Sequence, residues 1–385
     1  MFDKRQKIYR TNIGCSIDDA VLDIFSQVDK SARLLKLTFF HLPSDNAEYL
    51  ANIARIRQLA KERFAENVPL ISYVAQMPFG STITAEAIYL DEDIEIERRN
   101  GYILTKCGLT RTIVTEGIVP DDIETGIYEQ SHNIFEKISA ILAEAKMSAS
   151  DIYRQWNYIQ EITGENNGKQ NYQEFNDART LFYEENNWRS NYPAATGIGT
   201  SRGGVMIEIM ASCGGNPANC PIDNPLQTAA HVYSQKVLIG NKEQQKTTPK
   251  FERARIVGEG IYISGTAAIR GEESLASLDI TGQTEATMQI MDALIAPSNL
   301  PIPCRRTEYD SLRVYVKREE DIPSAQSYLE QHYSAPQMHF VVSDVCRPEL
   351  LIEIEGTAHL ILDQRKKLRG KNKCFIFAVK KILRP

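Results

Sequence analysis

The chain has 385 residues, of which 42% are hydrophobic and 24% charged, and a net charge of −6. That size supports a large core in more than one module, and the acidic balance argues against nucleic acid as a partner. No apolar run is long enough to span a bilayer, Met1-Phe2-Asp3-Lys4-Arg5 lacks a signal peptide's apolar stretch, and seven cysteines occur without a CxxC pair; a cytoplasmic protein with reduced thiols and no membrane partner is expected.

Leu34 to Phe40 reads as a strand. Asn46 to Asn67 reads as an amphipathic helix, with Leu50, Ile53, Ile56 and Leu59 at helical spacing. Val68 to Gln76 is a second strand, and Asn100-Gly101 marks a hairpin turn between two alternating runs. Asp122 to Lys146 is a long helix, followed by an extended run from Ser148 to Thr163. Gln173 to Glu185 reads as helix, and Val205 to Ala211, Val232 to Ile239 and Gly260 to Ile269 as strands. Gln283 to Ala296 is a helix, Leu312 to Lys317 a strand, Ala325 to Tyr333 a helix, and His339 to Val345 leads into a last, acidic strand. The interleaving predicts an α+β protein of two similar modules side by side, residues 1–147 and 148–364. A basic tail, 365–385, surrounds the short apolar run Cys374 to Val379 and is expected to be a final strand with a frayed end.

The acidic strand carries the strongest chemical signal. In Leu351-Ile352-Glu353-Ile354-Glu355, alternation turns both carboxylates to one side and both isoleucines to the other. A carboxyl so placed can hold its proton near neutral pH and act as a general acid. The same pattern also suits an edge strand with its polar face in water. Other motifs are weaker. Arg179 and Tyr183 lie four apart on the helix opened by Tyr172, and can converge on a carboxylate or be a surface arginine and a core tyrosine. Tyr192 to Thr200 is a small-residue loop that either lets a ligand approach the backbone or is an ordinary turn. Arg253 and Arg255 share a side of any strand there, and Ser264-Gly265-Thr266-Ala267-Ala268 ends a strand with small and hydroxyl residues. None of the six histidines falls in HxD, HxE, HxxxH or HExxH, and GxSxG is absent. The pattern left is acid–base chemistry with no metal or other cofactor, in which a carboxyl donates the proton and arginines hold an anion.

Trp156-Asn157-Tyr158-Ile159, Asn176-Asp177-Ala178-Arg179, Tyr192 to Gly199, Ile263-Ser-Gly-Thr-Ala-Ala-Ile269 and the Glu353 strand occur in this order. The set resembles the chorismatases, enzymes that remove pyruvate from chorismate, over about residues 148–356. The last strand also looks like that of YjgF-like proteins, to which chorismatases are related in fold. The resemblance therefore implies two YjgF-like modules, the second catalytic, acting as a monomer or homotrimer. It implies Glu353 as the proton donor to the enol ether, Arg179 with Tyr183 and Arg253 as carboxylate anchors, and Thr266 as a hydrogen-bond donor near the substrate. It makes Cys346 and Ala267 product selectors that point different ways. The cysteine matches the group forming 3-hydroxybenzoate, and the alanine matches the group hydrolysing chorismate to a dihydroxycyclohexadiene carboxylate. The cysteine is given the greater weight, so 3-hydroxybenzoate is the expected product. Further alternatives are a YjgF-like imine deaminase and a non-catalytic metabolite-binding protein. The deaminase would need an arginine upstream of the acidic strand, and none stands at Gln337, Met338 or His339.

Overall fold

The structure is a computed structural model that describes residues 5–29, 32–90, 94–166, 168–215, 219–238, 246–334 and 337–362. The expected basic tail lies outside the described residues.

The α+β class stands, and the division is finer than two modules. Three successive units repeat one topology. The first contains strand β1 (Arg5–Arg10), helix α1 (Ile17–Gln27), β2 (Arg33–His41), α2 (Asn46–Phe64), β3 (Leu70–Ala75) and β4 (Thr84–Leu90). The second contains β5 (Glu95–Arg99), β6 (Tyr102–Cys107), β7 (Thr110–Thr115), α3 (Ile127–Glu144), β8 (Ile152–Gln160), α4 (Asn171–Glu185), β9 (Ala194–Thr200) and β10 (Val205–Cys213). The third contains β11 (Asn219–Ile222), β12 (Ala254–Val257), β13 (Gly260–Ala267), α5 (Ile280–Ile295), β14 (Arg306–Val316), α6 (Ile322–His332), β15 (Gln337–Val342) and β16 (Ile352–Ile361). The second sheet runs β5-β6-β7-β10-β8-β9 and the third β11-β12-β13-β16-β14-β15, the same order, to which the short segment Met77–Pro78 of the first unit adds a seventh strand beside β15. The first, β1-β4-β2-β3, is the same pattern without its opening hairpin. Residue 147, the expected boundary, therefore falls between α3 and β8, inside the middle unit.

Each unit lays its two helices on one sheet face. Helix spacing puts Ile134, Ile138 and Leu142 of α3 in a core with Ile207 and Ile209 of β10, and Met288, Met291 and Leu294 of α5 in another with Ile352 and Ile354 of β16. The opposite faces of the three sheets meet in a central cluster that includes Phe40, Tyr158, Met206 and Tyr315. Buried ion pairs lock that centre. Lys36 of β2 reaches Glu208 of β10 at 2.9 Å, Arg154 of β8 pairs with Glu355 of β16, and Arg313 of β14 pairs with Glu86 of β4. Each unit thus presents a cation from the strand between its two helices to an acid on the next unit's last-formed strand, and the cycle closes. Burial by itself would raise the Glu86 carboxyl, but Arg313 and His339 outweigh it and hold Glu86 well below the usual range.

Two strands differ from the sequence reading. Val232 to Ile239 was expected to be extended, but its described part, 232–238, forms turns after a short helical turn, Ala230–Val232. Tyr192 to Thr200 was expected to be a loop, but Ala194–Thr200 is a strand pairing in parallel with β8. Its alanines and glycines hide the strand signal, because they carry little side chain for a pattern to show.

Candidate active site

The acidic strand β16 lies inside its sheet, between β13 and β14. The edge-strand reading of its carboxylates therefore does not hold. Ile352 and Ile354 enter the helix-side core, so Glu353 and Glu355 face the centre. Their surroundings separate them. Glu355 accepts from Trp156 Nε1 at 2.9 Å and Tyr315 OH at 3.1 Å, lies 2.7 Å from Arg313 Nη1, and also takes bonds from Arg154 and Thr196. The Glu353 carboxyl makes no hydrogen bond or ion pair among the described residues, and opens into a cleft between the middle and third units. Burial, and next the charge of Glu355, push Glu353 from the usual 4.5 up to about 8, against the opposing pull of Arg154 and Arg253. At neutral pH it is a protonated acid with its proton uncommitted.

The cleft has about 790 Å³ of space, open mouth included. Helix α4 and strand β9 of the middle unit form one wall. Strands β13 and β16 of the third unit, with the segment before β12, form the other. Three arginines line it: Arg179, Arg253 and Arg347. Arg179 bonds Asn176, Arg253 bonds the Thr228 carbonyl and Tyr233 OH, and Arg347 bonds the Glu272 carbonyl and Ser274. All five bonds are to neutral acceptors, and the described residues offer no carboxylate in ion-pair contact with any of the three arginines. The Nε atoms of Arg179 and Arg253 are buried and have no partner among the described residues. Buried guanidiniums left uncompensated in this way provide a site for an anion. Arg253 and Arg347 both lie over the Tyr233 ring, 5.4 and 5.5 Å from its centroid.

Of the expected site residues, Glu353, Arg179, Arg253, Cys346 and Ala267 all line this cleft. Burial, with Glu353 next, pushes the Cys346 thiol up to about 12, which keeps it neutral. Tyr183 and Thr266 are not among the lining residues. Tyr183 turns into an aromatic core, its ring 4.7 Å from Trp188 and 5.1 Å from Tyr192. Tyr172, which lines the cleft, takes the place beside Arg179 that was expected of Tyr183. Thr266 pairs with Ile354 in register, so it faces the helix-side core, and its hydroxyl bonds Ser264 O at 2.9 Å. Its neighbours Gly265 and Ala267 line the cleft in its stead. Arg255 is structural, its guanidinium bonding Asn219 and the Tyr192 carbonyl. Tyr172, Tyr233 and Arg347 went unrecognised in the sequence. Arg347 was legible as the residue after Cys346, six before Glu353. It stands between β15 and β16, not at the positions 337–339 where the deaminase reading looked for an arginine. Among the described residues, no three His, Cys, Asp or Glu side chains gather as a metal site.

Comparison with known proteins agrees with this geometry. Residues 109–211 match the family model for the N-terminal part of FkbO/Hyg5-like chorismatases. A 3-hydroxybenzoate synthase of Streptomyces hygroscopicus is 30% identical over 223 residues, 54% of this chain and 63% of its own length. A chorismatase of the same organism is 33% identical over 219 residues, 53% of this chain and 60% of its own length. A chorismatase crystal structure superposes over 93% of this chain and 99% of its own, at a TM-score of 0.67 and 20% identity. By sequence and by fold the chain is similar to chorismatases. Its match spans about three fifths of the length of these curated relatives. Four of the five segments that carried the resemblance converge here, α4, β9, β13 and β16 each contributing lining residues to the one cleft, whereas Trp156 to Ile159 on β8 contribute none.

The chain's internal symmetry shows why one cleft carries the acid. Glu86, Glu208 and Glu355 occupy equivalent places. Each stands two residues before Ile88, Met210 or Thr357, where the pairing of its strand with the strand between the unit's two helices shifts register. Two residues earlier again stand Thr84, Met206 and Glu353. Only the third unit has a carboxyl there.

Proposed function

We propose that the protein releases pyruvate from chorismate, with Glu353 as the proton donor. The observation that carries this reading is the juxtaposition of a buried, protonated, unbonded carboxyl with arginines lacking carboxylate partners. Chorismate carries a ring carboxylate and an enolpyruvyl carboxylate, so it presents two anions to such a cleft. Glu353 protonates the methylene carbon of the enol ether, leaving an oxocarbenium-like centre and a labile ether bond. The Glu355 carboxylate, held by five partners, favours the protonated form of Glu353 before the step and stabilises positive charge developing near it. Arg179 on one wall and Arg253 on the other hold the carboxylates.

The product we propose is 3-hydroxybenzoate. Here the ring's own hydroxyl displaces the ether, pyruvate leaves, and the proton lost as the ring becomes aromatic restores Glu353, with no water consumed. The neutral Cys346 thiol in the cleft wall and the 3-hydroxybenzoate synthase among the relatives support it. Ala267 in the same wall favours the hydrolytic product, in which water adds to the oxocarbenium carbon. The cleft is complete within one chain, so a monomer suffices. The described cysteines are free thiols, which supports a reducing, cytoplasmic setting. The test is pyruvate release from chorismate with chromatographic identification of the six-carbon ring product.

A second reading has one observation in its favour. Arg347 in the cleft supplies the carboxylate grip that a YjgF-like imine deaminase requires. Hydrolysis of an imino acid to its keto acid and ammonia, with no turnover of chorismate, would establish it.

A further inference from the structure

Where β13 pairs with β16, the register shifts by one residue between Ile263 and Thr266. This bulge holds Ser264 and Gly265. It frees the Gly265 N–H from the ladder, and that group donates to Thr196 Oγ1 of the middle unit at 3.0 Å. The same hydroxyl accepts from Arg154 at 2.8 Å and donates to Glu355, which uses its full bonding capacity. Ser264 Oγ accepts from Ala195 N at 2.9 Å. The bulge therefore joins the two walls of the cleft.

Gly265 also meets the acid. A Cβ added there would lie 1.9 Å from Glu353 Oε1, 2.9 Å from Glu353 Cδ and 3.0 Å from Thr196 Cγ2. No side chain larger than hydrogen leaves the carboxyl where it is. The middle unit repeats the arrangement. Pairing of β7 with β10 and the Ile118–Ile207 bridge beyond it differ by the same one-residue shift, and Gly117 stands in the bulge. A Cβ on Gly117 would lie 2.2 Å from Met206 Sδ, and Met206 holds the place equivalent to Glu353. The fold thus uses a bulge glycine to admit a long side chain at this strand position, whatever its chemistry.

We infer that Gly265 is a positioning residue for the proposed reaction, the seat that holds the Glu353 carboxyl at the cleft floor. This rests on the chorismate reading. A substitution at 265 forces the carboxyl to turn about its side-chain torsions, away from its place among Glu355, Arg154, Arg253, Cys346 and Tyr172. A misplacement of about 1 Å is enough to cost on the order of 100-fold in rate. The equivalent change at Gly117 displaces the Met206 side chain, whose Sδ and Cγ lie 2.2 and 2.9 Å from the added Cβ, and meets no carboxyl.

The experiment compares Gly265→Ala, Gly117→Ala and the unaltered chain for pyruvate release from chorismate, for the pH profile of kcat/KM, and for unfolding between pH 5 and 9. The expected result for Gly265→Ala is a kcat lowered about 100-fold, KM within about threefold, and an alkaline limb displaced from that of the unaltered chain. Gly117→Ala keeps kcat and its alkaline limb. Retention of kcat within about threefold by Gly265→Ala would overturn the inference, as would an equal loss in Gly117→Ala. If the unaltered chain releases no pyruvate, the function reading fails. The seat is then still tested by unfolding, whose pH dependence Gly265→Ala alters and Gly117→Ala does not; an unaltered dependence in Gly265→Ala overturns it.

Discussion

Replacing Glu353 with glutamine should abolish turnover and yet make the protein more stable at alkaline pH. The carboxyl is raised from the usual 4.5 to about 8 by burial and by Glu355. A folded-state value above the unfolded one means the group's favourable contribution is fully present below pH 4.5 and is lost as pH rises through 8. The span is roughly 3.5 units, and at ~1.4 kcal/mol per unit the loss is on the order of 5 kcal/mol. Glutamine has nearly the shape of the protonated acid and cannot ionise, so Glu353→Gln escapes that loss. Urea unfolding of both proteins at pH 5 and pH 9 measures it. The stability difference between them should move by several kcal/mol in favour of glutamine at pH 9. The same titration predicts that kcat/KM for pyruvate release is flat below about pH 8 and falls tenfold per unit above it. A stability difference constant to within about 1 kcal/mol across this range would mean that Glu353 is ionised at neutral pH, and the buried-acid argument would be refuted.

Other residues give separate tests. Arg253→Ala should raise the KM for chorismate by about 10- to 100-fold, since it removes a charge-assisted contact of ~1.5–3 kcal/mol; an unchanged KM in steady-state assays would remove it from the binding site. Cys346→Ala should shift the chromatographic product ratio from 3-hydroxybenzoate toward the dihydroxydiene acid, and an unchanged ratio would leave Ala267 as the better guide. Lys36→Met strands Glu208 at the junction of the first two units and should cost about 3–5 kcal/mol by urea unfolding; a loss under about 1 kcal/mol would show that the ring of ion pairs does not hold the units together.

The chemistry was more legible in this sequence than the architecture. Alternation in the Glu353 strand placed both acids on one face because strand geometry allows nothing else once the strand forms. It could not say which acid is free, since Glu355 is neutralised by Arg154 and Arg313, residues 201 and 42 positions away. The threefold repeat stayed hidden because its units share strand order and register while differing in side chains: Thr84, Met206 and Glu353 have nothing in common as residue types. Tyr183 looked right by helical spacing, but spacing fixes only a face of α4, and that face turns into an aromatic core. Thr266 was misplaced by one residue. The bulge sets which of Gly265, Thr266 and Ala267 sees the cleft, and nothing in Ser-Gly-Thr-Ala-Ala declares a bulge.

The most direct test of the account is to incubate the purified protein and its Glu353→Gln variant with chorismate, follow pyruvate by a coupled assay and separate the ring products. The account predicts pyruvate and 3-hydroxybenzoate in equal amounts from the unaltered protein, and neither from the folded variant. Pyruvate release that survives in Glu353→Gln, or none from the folded, unaltered protein, would contradict it.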